Sequence, residues 1–99
     1  MTDKNFLSFI LSLNSDLSAR PMMGEYLLYY KGKHVGNICD NSMLLKDVSS
    51  IRLLLPSVRF QPPYDGAKPQ IVYEEFEDLS LLSSVLEELY ISLPNKKKK

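Results

Sequence analysis

The stretch from Ala19 to Lys46 is broken so closely by turn-forming residues that it leaves room for little besides a run of short strands. Pro21 stops any helix and belongs only at an edge strand or a strand start. Lys31-Gly32-Lys33 makes a turn between a tyrosine- and leucine-rich segment and "HVGNIC". Asp40-Asn41 forms a second tight turn, because both residues tolerate positive φ, and "SMLLK" follows as another strand. The stretch therefore predicts an antiparallel meander of three or four strands.

On either side the period changes from two to that of a helix. Apolar residues at 6, 9/10, 13 and 17 form a stripe that predicts a helix over about 4–15, capped by Asp3 or Thr2. After the meander, Asp47 reads as an N-cap for a short helix. Val48, Ile51, Leu54 and Leu55 share one side of it, and Pro56 ends it. The proline-rich 57–69 predicts a loop with a turn at Asp65-Gly66 and a short strand at 57–60. "QIVYEEF" reads as a strand. Asp78 then caps a last helix with an apolar stripe at 79, 82, 86, 89 and 93, which Pro94 ends. The order α, three or four strands, α, one or two strands, α predicts a two-layer α+β fold with helices on one face of an antiparallel sheet.

Length and charge bound the rest. Ninety-nine residues, 44% hydrophobic and 24% charged, fit one domain over 1–95 followed by a disordered lysine tail at 96–99. One cysteine cannot form an internal disulfide, which suits a reducing compartment. The start lacks a basic leader, and no apolar run approaches the ~18–20 residues of a membrane span. These features predict a cytoplasmic protein. Residues 1–60 carry seven basic against five acidic side chains, whereas 61–95 carry one against seven. The net zero thus hides an acidic body with a basic first half. An acidic body is a poor general ligand for phosphate backbones, although a local basic patch and the tail keep direct DNA binding as an alternative.

Constellations for chemistry are sparse. His34 and Cys39 are five apart, and in an unbroken strand that separation places them on opposite faces unless a bulge intervenes. Gly36, as an isolated glycine in a strand pattern, reads separately as a bulge candidate. Neither they nor Asp40 have metal-ligand spacing. Glu74, Glu75, Glu77 and Asp78 read as a strand end and favourable charge at a helix start, with a small ligand- or metal-binding role as the weaker alternative. The glycines at 24, 32, 36 and 66 form no phosphate-binding pattern. The residues thus predict no catalytic site, no metal and no cofactor. Tyr26, Tyr29 and Tyr30 beside Lys31 and Lys33 fit either base stacking or sheet packing.

A family resemblance adds to this reading. "ARPMMGEYLLYYKGKHVGNICDNSMLLK" resembles the signature of the TfoX/Sxy N-terminal domain family, an R-x-M-F-G-G-Y-G-L-Y frame followed by a turn, a strand and L-Y-L-K. Arg20, Met22, Gly24, Tyr26, Leu28 and Tyr29 fit the frame, and Leu44 to Lys46 echo its end. Met23, Glu25 and Leu27 stand where the pattern has Phe, Gly and Gly. "FQPPYDGAKPQIVYEEFED" is similar to the family's aromatic–proline loop and following strand, so the likeness runs over about 5–94. The resemblance implies an antiparallel sheet with helices on one side. It also implies a non-enzymatic interaction domain, an accessory to transcription regulation like the competence regulators, here in a stand-alone single-domain form. The candidate partner-binding residues are Arg20, Met22, Met23, Gly24 and Tyr26 in the first hairpin. Arg20 would act as a charged anchor, the methionines as adaptable apolar contacts and Gly24 as a point of close backbone approach. The edge strand at Pro21 either pairs with a second copy or is blunted by the proline.

Overall fold

The computed structural model describes residues 2–55 and 57–94. The expected lysine tail, the domain limit at 95 and the expected helix stop at Pro56 lie outside the described residues. Within them the order is α1 (Lys4–Ser12), β1 (Leu17–Met22), β2 (Glu25–Tyr30), β3 (Lys33–Cys39), β4 (Ser42–Leu45), α2 (Ser49–Arg52), β5 (Phe60–Gln61), β6 (Gln70–Tyr73) and α3 (Leu79–Ser92). The six strands form one antiparallel sheet in the order β1-β2-β3-β4-β6-β5. The expected α+β class and meander are present, and β1 with Pro21 lies at the sheet edge.

Two-residue connections make the meander. Met23-Gly24, Lys31-Gly32 and Asp40-Asn41 all have positive φ at both positions, the conformation whose twist matches the flanking strands. Between β2 and β3 the register shifts. Leu28 pairs with Gly36 and Tyr29 with His34, so Val35 is the extra residue of a bulge. A Cβ on Gly36 would overlap the carbonyl oxygen of Leu44 on β4, so the backbones meet there at a distance that only glycine permits.

One sheet face carries the core. Leu28, Tyr30, Ile38, Met43, Leu45, Ile71 and Tyr73 point to it and meet Ile10 of α1, Ile51 of α2 and Leu82, Val85, Leu86 and Leu89 of α3. Polar bonds clamp α3 to the sheet at its margin. Tyr30 Oη and Lys31 Nζ both donate to Glu87 Oε2, at 2.6 and 2.8 Å, and Lys33 Nζ donates to the backbone oxygens of Tyr90 and Leu93. Asp3 and Asp78 are the N-caps of α1 and α3, accepting from the amides of Asn5 and Leu81. The extended backbone of Leu93, the residue before Pro94, closes α3.

Four expectations need correction. The first helix ends at Ser12 rather than about 15, because Asn14 Oδ1 accepts from the Asp16 amide and turns the chain. Leu17, expected on the helical stripe, is instead buried in β1 opposite Tyr30. The second helix is a single turn whose N-cap is Val48, not Asp47. The Asp47 carboxylate is held by the Arg52 guanidinium in two bonds of 2.8 and 2.6 Å and so is diverted from capping. The short strand before the proline loop lies at Phe60–Gln61 rather than 57–60.

Candidate functional site

Because side chains alternate along strands, the second sheet face has a composition of its own. It carries Arg20 and Met22 from β1, Leu27 and Tyr29 from β2, His34 and Asn37 from β3, Leu44 from β4, and Gln70 and Val72 from β6. The helices occupy the other face, and the connection between β5 and β6 folds over this one. Pro62, Pro63 and Pro69 limit its conformations, and a turn at Asp65-Gly66 is closed by the Ala67 amide donating to the Tyr64 oxygen at 3.1 Å. Between this hairpin and the strands lies a cleft of about 420 Å³, floored by Leu27, His34 and Asn37 and roofed by Pro63, Tyr64 and Ala67.

Its two ends differ. Met22 closes the end near β1, and Leu27 lies beside it. At the other end Lys46, Gln70 and Lys68 converge, and the same three residues, with Asp47, border a second cavity of about 500 Å³ reaching Pro69 and Leu93. Leu45 pairs with Ile71, so Lys46 and Gln70 face each other one step further along the two chains. Gln70 Oε1 is buried with no hydrogen-bond partner among the described residues. Among the described residues no carboxylate lines the first cleft.

A line of stacked groups leads to the cleft from the sheet edge. The Arg20 guanidinium lies 5.3 Å from the centre of the Tyr29 ring, and that ring lies 5.4 Å from the His34 imidazole. His34 Nε2 is 2.7 Å from the Gly36 carbonyl oxygen and donates to it.

The structure divides the five sequence-derived candidates. Arg20 and Met22 share the cleft face. Met23, 91% exposed, and Gly24 form the hairpin tip next to Met22. Tyr26 lies on the helix face, opposite Ile38 and partly buried against the core, so it does not join the others. The tyrosine–lysine grouping also separates. Tyr30 is buried, Lys31 and Lys33 reach α3, and Tyr29 alone of that grouping faces the cleft side. Sequence reading missed Lys46, Tyr64, Lys68 and Gln70. Their one visible signal was an aromatic residue flanked by prolines in "QPPYDGAKPQ".

The remaining chemistry-bearing residues lie apart. The bulge puts His34 and Cys39 on one face after all, but they stand opposite Tyr29 and the strand end at Glu25, four residues or ~13 Å apart. Burial pushes the Cys39 thiol up, and the charges of Glu25 and Asp40 add to this, so it is a poor nucleophile. Burial also works against Glu25, but bonds from Thr2 and the Asp40 amide hold its carboxyl below the usual range. In the acidic cluster, Glu74 pairs with Arg59 at 2.6 Å and Asp78 caps α3. Among the described residues no three His, Cys, Asp or Glu side chains are grouped to hold a metal. No helix there is long and apolar enough to cross a membrane.

No protein-family model matches the chain. It is similar to an uncharacterized 12.7 kDa protein from Spirochaeta aurantia, described as lying in the trpE 5' region. The two are 35% identical over 77 residues, which is 75% of this chain and 67% of that protein.

Proposed function

We propose, from the premise that this chain belongs to the same family as the 12.7 kDa Spirochaeta aurantia protein, that it is a non-enzymatic binding domain working through the helix-free face of its sheet. The observation that carries this is the roofed cleft, with Lys46 and Lys68 at one end and Met22 and Leu27 at the other. A face built only to cover the sheet would fill such a space. The exposed Met23 tip and Arg20 extend the same surface toward the sheet edge, which suits contact with a protein partner. The likeness to TfoX/Sxy domains supports a transcription regulator as that partner and a cytoplasmic setting.

Direct DNA binding draws less support. Of the basic residues in the first half, Lys31, Arg52 and Arg59 are in ion pairs with Glu87, Asp47 and Glu74. Lys33 is bound to helix-end carbonyl oxygens. Their charge is therefore partly neutralised before any phosphate could use it.

Affinity capture from the source cell tests the proposal. Specific partners should be retained by the wild-type chain and by Ile91→Ala on the exposed side of α3, and lost by Arg20→Ala combined with Met23→Ala. Retention of every specific partner by the double variant would reject this face.

A further inference from the structure

Resting on the reading of the helix-free face and its hairpin tip as the working surface, we infer that Met23 is a reversible oxidation site. Peroxide converts its thioether to the sulfoxide and thereby turns off contact through that surface. Met23 is out of place by the rules that govern the rest of the meander. With Gly24 it forms a two-residue turn in which both residues have positive φ, 52° and 88°. Glycine, asparagine and aspartate favour that conformation, and methionine does not. Lys31 occupies the matching position of the next turn, but its side chain is bound to Glu87 on α3. Met23 is 91% exposed, so its side chain covers almost nothing. A residue held in an unfavoured conformation with no return in packing points to a use outside the fold.

Access to sulfur separates the methionines. Hydrogen peroxide must approach Sδ directly. The sulfur attacks one peroxide oxygen, an S–O bond forms as the O–O bond breaks, and the thioether loses two electrons. The hydroxide released takes the remaining hydroxyl proton and leaves as water. At Met23 no other group has to move for this. Met22 is partly buried at the apolar end of the cleft. Met43 is inaccessible in the core, so its oxidation requires the chain to open first. The sulfoxide is polar and chiral, and at position 23 it removes an adaptable apolar contact without entering the core. It also stays exposed on a turn, where methionine sulfoxide reductases reach it on the folded chain. Two thiols then return the thioether, with a disulfide and water as the other products.

Methionine-methyl NMR of the full chain during hydrogen peroxide treatment tests the site, with Met22→Leu and Met23→Leu used for assignment. Of the resonances at 22, 23 and 43, that of Met23 should convert first, at least about tenfold faster than that of Met43. The amide spectrum of the core should not change. The oxidised chain should then lose the specific partners that the untreated chain captures, and the two reductases, one for each sulfoxide epimer, should restore them. Met23→Leu keeps an apolar tip without the sulfur and should hold its partners through the same treatment. Conversion of Met22 or Met43 as fast as Met23 would overturn the inference. If the oxidised chain keeps partners that Arg20→Ala combined with Met23→Ala loses, the oxidation switch falls and the contact surface stands. If that double variant keeps every partner, the contact surface falls and the switch with it, while first and reversible conversion of Met23 still supports the modification site.

Discussion

Gly36 occupies a point where two strand backbones leave no room for a side chain. A side chain there would push into the backbone of β4, since the nearest atom is the Leu44 carbonyl oxygen rather than a movable side chain. The same position sits in the bulge that turns His34 onto the cleft face. Gly36→Ala should therefore lower the free energy of unfolding by about 2–3 kcal/mol, measured by urea denaturation with an unchanged slope. An unaltered midpoint would contradict the close approach. Gly36 was legible in the sequence as a bulge candidate, because an isolated glycine inside a strand pattern has few other uses. The Met23-Gly24 turn was not. Methionine at positive φ is uncommon, and nothing in its side chain announces it.

At the scale of the elements, local rules decided some boundaries and tertiary partners decided others. Asp3 and Asp78 cap the helices they precede, as the pattern of a short acceptor before an apolar stripe requires. Asp47 fits the same pattern, yet Arg52 lies five residues on and captures its carboxylate. A competing guanidinium cannot be weighed from propensity alone. The difference is measurable. Asp78→Ala should cost about 1 kcal/mol, whereas Asp47→Ala breaks only a part-exposed ion pair and should cost less than that. Equal losses would mean that the Asp47 pair is worth as much as a cap. The candidate site was hardly legible at this scale, because it draws on β1, β2, β3, the end of β4, the β5–β6 hairpin and β6. Residues from 22 to 70 meet there only because β6 returns to lie between β4 and β5. No periodicity encodes that placement.

For the molecule as a whole, the two sheet faces have different duties. One holds the core under three helices, and the pH dependence of stability reports on it. Burial pushes the Tyr73 hydroxyl up to about 12, with the charges of Glu75 and Asp78 adding to it. Tyr73 is almost wholly inaccessible and donates to the Glu75 oxygen at 3.0 Å. Its folded pKa lies above the unfolded value near 10, so its contribution is complete below pH 10 and is lost as pH rises toward 12. The two-unit difference corresponds to about 3 kcal/mol. Tyr30, raised by burial and by its bond to Glu87, adds to the same alkaline loss. Tyr73→Phe should flatten the fall between pH 10 and 12 in thermal unfolding. An equally steep fall in that variant would assign the loss to other groups. On the acid side the signs reverse. Asp47, held low by Arg52, and Glu87, held low by Lys31 and Tyr30, contribute above the usual carboxylate range and lose that contribution as pH falls through it.

The second face carries the central claim, that this chain binds through the cleft side of its sheet. Amide NMR of the labelled chain, titrated with the partner recovered by capture, tests it most directly. The claim predicts shifts confined to Arg20–Gly24, Leu27, His34, Lys46 and the hairpin from Pro63 to Gln70, with the outer amides of α1 and α3 unmoved. Shifts centred on α1 or α3, with the cleft residues unchanged, would contradict it.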